Sequence, residues 1–310
     1  MDGMLMEFLT VADQIFILVL LIAAGYIALA AGILDRHSTR KISGFLINVT
    51  IPALIVASMQ VPFSSTRLAE TGELLILTGI LYIFSFFFAW LVSRTLSRSP
   101  REQGVYLFAV VFGNVGFMGF PLIGAIYGSD ALFFVAIFNL VFNILVFSVG
   151  IAMMTRGQSE GFDPRMLLNP GIMASAIGFL LFLGSVEIPS PFIDSIEILG
   201  NVTTPLAMII VGALLATFPA REMIGNWRTA LASFVRLLLV PVVFWFLLHP
   251  FVADPLIFGV LITLAAMPAA ANTSIFAEEY GADARLASQV VFVSTICSLV
   301  TIPLITTVLV

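Results

Sequence analysis

The sequence predicts an all-α membrane protein, with ten transmembrane helices in two inverted five-helix repeats and broken crossover helices 4 and 9. Three observations carry this. Of the 310 residues, 60% are hydrophobic and only 10% charged, with a mean hydropathy of +1.13, whereas charged residues make up roughly a quarter of an ordinary soluble domain. Eleven of the thirteen Lys and Arg residues fall in alternate loops and at the helix ends beside them. Two short blocks recur at a spacing of 153 residues.

A helix needs roughly 20 apolar residues to cross a bilayer core, so ten crossings take about 200 residues and leave about ten for each connection. Apolar runs bounded by charge, Gly and Pro predict helices near 11–34, 41–60, 70–95, 103–127, 130–154, 166–185, 190–217, 229–252, 255–280 and 283–309. The first run is a full-length span without a small-residue cleavage site, so no signal peptide is expected. Placing both termini outside gathers the eleven basic residues in the cytoplasmic loops and leaves Arg67 outside and Arg236 within the eighth span. Arg236 lies about two turns into that span, and its stem is expected to snorkel to the cytoplasmic surface. The localisation implied is multi-pass, in a plasma membrane of the bacterial inner-membrane type.

Asn48-Val49-Thr50-Ile51-Pro52 recurs as Asn201-Val202-Thr203-Thr204-Pro205, and Tyr127-Gly128-Ser129-Asp130-Ala131 as Tyr280-Gly281-Ala282-Asp283-Ala284; Gly25 and Gly178 share the same spacing. A duplicated unit of five helices accounts for all three. Because five is odd, the second copy enters the membrane from the opposite side, as in secondary transporters. The domains read as 1–154 for the first repeat, 155–165 for a cytoplasmic connecting loop and 166–310 for the second repeat.

The fourth span carries Gly113, Gly116, Gly119 and Pro121 within nine residues, and its repeat partner, the ninth, carries Pro268 followed by three alanines. Gly tolerates non-helical dihedrals and Pro removes a backbone donor, so both spans are expected to break. Broken backbone at membrane depth survives only where it lines a cavity or is buried in protein. The second half of each helix then begins at the crossing, with Pro121 in the first turn of one and Asn272, Thr273 or Ser274 capping the other. Free N–H groups and positive helix ends favour an anion there. No Lys or Arg is expected beside either break, so the attraction falls to backbone and amide groups. Asn114 and Asn272 are the leading substrate-binding candidates, each offering donors and an acceptor without a buried charge.

Asn139 and Asn143 stand one turn apart on the fifth span and are read equally as ligand contacts or interhelical glue. The two Asn-Val-Thr blocks are read as helix bends. Asp13, Glu197 and Glu278, near helix ends, are weak candidates for ion coupling. Cys297, the one cysteine, lies in an apolar run and is expected to pack there. His37 and His249 stand far apart, so no metal site is expected. No cofactor is implied.

These motifs resemble the auxin efflux carrier family, which includes plant auxin exporters and bacterial carriers assigned to malonate or similar acids. The resemblance rests on Gly113-Asn114, Gly119-Phe120-Pro121-Leu122 and Tyr127-Gly128 in the first half. In the second it rests on Ala266-Met267-Pro268, Phe276-Ala277-Glu278-Glu279-Tyr280-Gly281 and Thr301-Ile302-Pro303-Leu304. It implies a scaffold domain and a transport domain, with crossover helices four and nine around the substrate. The long cytoplasmic loop of the plant exporters has no counterpart in this sequence. Bile acid sodium symporters are similar in architecture but place an acid near the ninth-helix crossing, where this chain has Ala269-Ala270-Ala271-Asn272.

The function expected is therefore a carrier of small organic anions such as carboxylates, working by alternating access. A sodium-coupled carrier of the bile acid symporter type is the alternative, and a channel is a weaker one because the spans lack a continuous polar stripe. No enzyme is expected, since neither a nucleophile elbow nor a His-Glu-x-x-His motif is present. The expected partners are the organic anion, a coupling proton or sodium ion, the lipid bilayer and a second copy in a homodimer, with no nucleic acid.

Overall fold

The computed structural model describes residues 2–155, 168–218, 223, 225–252 and 254–309, with side chains described from Asp13 onward. Past Thr155, the expected connecting loop of 155–165 lies outside the described residues. Among the described residues, twelve helical segments of eight residues or more follow one another: α1 (Asp2–Ala30), α2 (Arg36–Ser58), α3 (Ser65–Leu96), α4 (Pro100–Val111), α5 (Val115–Tyr127), α6 (Ala131–Thr155), α7 (Pro170–Leu183), α8 (Phe192–Ala216), α9 (Trp227–Leu248), α10 (Pro255–Ala265), α11 (Asn272–Glu279) and α12 (Ala284–Leu309). Each of the ten runs read from the sequence contains described helix. Seven segments, α1, α2, α3, α6, α8, α9 and α12, are long and apolar enough to cross a membrane, whereas α5, α7 and α10 are shorter apolar helices. Among the described residues there is no strand, only an isolated antiparallel bridge between Gly113 and Ala269.

Local chemistry sets many helix starts. Asp35 accepts from the Ser38 amide at 2.6 Å while the Ser38 hydroxyl accepts from the Asp35 amide at 2.9 Å, a reciprocal cap for α2. Asn169, Asn226 and Asp254 cap α7, α9 and α10 through their side chains, and Pro170 and Pro255 fill first-turn positions where the missing N–H costs nothing.

Proline accounts for three of the four wide turns described inside the helices; the fourth, Val146–Gly150 in α6, has no proline after it. Wide π-turns occupy Leu46–Thr50 in α2, Val115–Gly119 at the start of α5 and Val235–Leu239 in α9. Each is followed two residues later by a proline: Pro52, Pro121 and Pro241. A proline clashes with the carbonyl four residues earlier and leaves it without a donor, and here those carbonyls belong to Asn48, Phe117 and Leu237, the midpoint of each wide turn. Widening the turn relieves the clash. Pro205 acts at the equivalent place in α8, which is interrupted at Val202 between Asn201 and Thr203.

The chain forms two compact units. The first comprises Met1–Ile76, Gly116–Ile144 and Asp163–Thr217; the second comprises Leu77–Val115, Leu145–Phe162 and Phe218–Val310. Each draws on both halves of the sequence.

In the first unit α1 packs on α8, and glycines permit the approach. A Cβ on Gly25 would fall on the Ile209 carbonyl, and one on Gly212 would fall on the Ile22 carbonyl. Gly178 of α7, the counterpart of Gly25 at the 153-residue spacing, meets α2 instead, where a Cβ would stand 2.6 Å from the Met59 sulfur. Arg67, expected in an outer loop, lies in the first turn of α3 with its guanidinium 5.4 Å from the Phe133 ring centre and 5.8 Å from that of Phe134.

The second repeated block is equally regular. Gly128, after α5, and Gly281, after α11, both adopt positive φ, 82° and 72°, a conformation that favours glycine. The next helices, α6 and α12, start at matching positions, Ala131 and Ala284. Cys297 departs from its expected packing role: it is exposed on α12.

Candidate functional site

Within the second unit, α4 stops at Val111, α10 stops at Ala265 and α11 starts at Asn272; Val115, the last residue of this stretch of the unit, is the first of α5, whose remainder belongs to the first unit. Phe112 turns the chain out of the helix with φ −103° and ψ 112°. The two non-helical stretches pair with each other. The Asn114 amide donates to the Pro268 carbonyl at 2.8 Å, and the Ala270 amide donates to the Phe112 carbonyl at 2.9 Å. Nearby, the Ala269 amide donates to the hydroxyl of the buried Ser294 at 3.1 Å and the Thr273 hydroxyl donates to the Ala270 carbonyl at 2.6 Å. Buried backbone groups need such partners, since each unmet one costs about 1–3 kcal/mol. Phe112, Gly113, Asn114, Met267 and Ala269 are all buried, and the rings of Tyr82, Phe86 and Phe108 lie against Phe112 with centres 4.7–6.4 Å away.

Arg236 fills the remaining space. Its side chain neither snorkels outward nor pairs with an acid; the residue is 4% exposed. Its Nε donates to the Met267 carbonyl at 2.9 Å, one terminal nitrogen to Val110 and Val111 at 3.2 and 3.3 Å, and the other to Leu264 at 3.4 Å. All four acceptors belong to the last turns of α4 and α10 or the stretch just beyond. A buried charge costs several kcal/mol unless its donors are met, and here the negative ends of two helices meet them. A Cβ on Gly113 would collide with a terminal nitrogen of Arg236 and stand 3.1 Å from its Cζ. The expectation that no cation stands near either break is thus overturned: the guanidinium touches both. Snorkelling would have given it solvent as a partner, whereas its partners are backbone carbonyls freed by the breaks themselves.

The other sequence candidates divide between the units. Asn114, Pro268, Asn272, Thr273 and Ser274 belong to the second. Asn114 is 5% exposed. Asn272 is the first residue of α11 and does not cap it; Ala271 holds the cap position and no side chain bonds there. The Ser274 hydroxyl is buried without a partner. Gly116, Gly119 and Pro121 belong to the first unit; the two glycines lie in the wide turn of α5, and Pro121 lies in the first turn of the regular helix Phe120–Tyr127 that follows it.

Asn139 and Asn143 belong to the first unit, where the Asn143 side-chain amide donates to the Asn139 carbonyl at 2.8 Å. Both amide nitrogens lie beside Gly171 at the start of α7, 3.3 and 3.7 Å from where a Cβ would sit. Asp13, Glu197 and Glu278 are exposed. A polar recess of about 350 Å³ that the sequence did not suggest lies in the second unit, lined by Glu102, Tyr106, Arg228, Asp283 and Arg285 among others. Arg228 and Glu102 approach to 3.7 Å across it.

The family described as membrane transport protein matches residues 10–164 and 162–306. The chain belongs to this family. It is the auxin efflux carrier family that the sequence motifs resemble. Among similar proteins, an uncharacterized transporter from Methanothermobacter thermautotrophicus is 26% identical over 96% of this chain and 98% of its own length. An uncharacterized transporter from Methanocaldococcus jannaschii is 24% identical over 94% and 96%. A putative malonate transporter from Rhizobium meliloti is 27% identical over 91% and 90%. The chain is thus a multi-pass membrane transporter.

Proposed function

We propose that this transporter is a secondary carrier of small organic anions, carboxylates such as malonate among them, that works by alternating access. The substrate's anionic group binds where the interrupted fourth and ninth spans cross, with Asn114 and Asn272 as donors. The observation that carries the reading is the pairing of the two helix interruptions through Gly113 and Ala269, because it leaves the starts of α5 and α11 beside those two asparagines. Helix starts and uncharged amides offer N–H donors to an anionic group. The name of the Rhizobium meliloti relative supports the substrate class.

The same reading takes α4 with α5 as one crossing and α10 with α11 as another, giving ten crossings, two inverted repeats and both termini outside. Two observations support the duplication: helices α6 and α12 start at positions 153 apart, and α1 on α8 is matched by α7 on α2. The two compact units serve as the moving parts, and a proton or sodium gradient as the energy source.

The test is uptake of mono- and dicarboxylates into proteoliposomes, with and without proton and sodium gradients. Uptake should saturate with concentration; linear flux with unitary currents would indicate a channel and overturn the reading. Losing one hydrogen bond to a charged group is worth about 1.5–3 kcal/mol, or roughly ten- to a hundredfold in affinity. Asn114→Ala and Asn272→Ala should each weaken binding by that factor, and Asn139→Ala should not.

A further inference from the structure

We infer that Arg236 is the positioning residue that makes the crossing selective for anions, acting through the helix ends it holds and without touching the solute. The inference rests on the proposed binding of an anion at the crossing. Four helix ends meet in this part of the second unit. Two are C-terminal, from α4 and α10, and two are N-terminal, at Val115 and Asn272. Each end carries about half an elementary charge, negative at a C-terminus and positive at an N-terminus, so the four ends alone sum to about zero. An anion would gain little from such a site.

Arg236 changes the sum. Its guanidinium is committed to carbonyls at or beyond the two negative ends, Val110 and Val111 of α4 and Leu264 and Met267 after α10. Among the described residues no acidic side chain forms an ion pair with it. With the negative ends cancelled, about one net positive charge remains, expressed at the two helix starts. Gly113 is part of the device, because any larger residue there would occupy the place of a guanidinium nitrogen. The planar fork also ties the end of α4 to the end of α10, which a lysine would do less completely.

The experiment compares uptake and competition by malonate and by its uncharged analogue malonamide in reconstituted wild type, Arg236→Gln, Arg236→Lys and Gly113→Ala, each checked for folding by circular dichroism and gel filtration. Backbone hydrogen exchange of segments 110–116 and 266–272 is measured in parallel. Arg236→Gln should lower the preference for malonate over malonamide by about ten- to a hundredfold, the effect of one charge at short range in a partly screened site. It should also speed exchange at Asn114 and Ala270. Arg236→Lys should retain most of the preference. A purely structural role would weaken both solutes alike, and that result, or an unchanged preference in Arg236→Gln, overturns the inference.

If Arg236→Gln does not fold, Gly113→Ala decides, since it keeps the charge but displaces it: an undiminished preference overturns the inference. Wild type that takes up no carboxylate refutes the proposed function itself. Unchanged exchange in Arg236→Gln or Gly113→Ala refutes the clamp whatever the solute.

Discussion

Replacing Gly25 by alanine should force α1 away from α8. A Cβ at this position would fall on the Ile209 carbonyl oxygen and lie 2.6 Å from its carbon and 2.8 Å from the Ile209 Cα. All three are backbone atoms, so no rotamer change relieves the overlap, and an ordinary contact needs at least 3.4 Å. The helices must therefore separate locally by about an ångström, a gap that forfeits a quarter to a half of the dispersion energy of each contact it opens. Overpacking of this kind costs about 1–3 kcal/mol.

Gly212→Ala acts on the same interface, where its Cβ would meet the Ile22 carbonyl and the Tyr26 nitrogen. Once one alanine has opened the interface the second meets less resistance, so the double variant should lose less than the sum of the two. Thermal unfolding in detergent, followed by tryptophan fluorescence, measures this. Each single variant should melt on the order of 2–10 °C below wild type. A melting temperature within about 1 °C of wild type for Gly25→Ala would mean that the helices do not approach as closely as described.

Three other outcomes are expected. An aspartate in place of Asn272 should repel carboxylates at neutral pH and weaken their uptake; tighter binding would reverse the proposed sign of the site. Pro121→Ala restores an N–H that can reach the Phe117 carbonyl, so the wide turn at Val115–Gly119 should close toward an ordinary helix. Carrier turnover should then fall while malonate affinity stays within about threefold, and unchanged turnover would remove Pro121 from the mechanism. In a chain with Cys297 replaced by serine, a cysteine at position 159 should react with an impermeant reagent only from the cytoplasmic side; reaction from outside would sink the proposed topology.

Much of the helical order was legible because its causes are local. Pro and Gly in the fourth and ninth spans weaken the helix wherever it is placed, so breaks could be expected near Gly113 and Pro268. The match of Tyr127-Gly128 to Tyr280-Gly281 marked a repeat, and in the structure both glycines take the same positive-φ turn. The outward face of Cys297 was hidden because an apolar residue on a membrane helix fits lipid as well as protein.

Arg236 was misread for a different reason. Its partners are main-chain oxygens from stretches over 100 positions earlier and about 30 positions later, and no side-chain pattern marks a carbonyl as free. Two signals were present: Arg236 stands about two turns inside its span, and two broken helices must leave carbonyls unmet. Taken together, these point the guanidinium at the breaks. The position of Asn272 was off by one residue, because the Ala271 cap depends on how the two breaks pair.

The pairing of Gly113 with Ala269 also bears on how the chain is made. The two residues lie roughly 150 positions apart, and the Ala269 amide additionally waits for Ser294. At about 5–20 residues per second, the Phe112 carbonyl and the Asn114 amide exist for roughly 10–30 s before their partners have been synthesised. During that interval two polar main-chain groups sit in the middle of an otherwise apolar segment that has already left the ribosome. They must be met by water or by the insertion machinery, so a slowed or truncated second half would leave the first half least tolerable to lipid at this point.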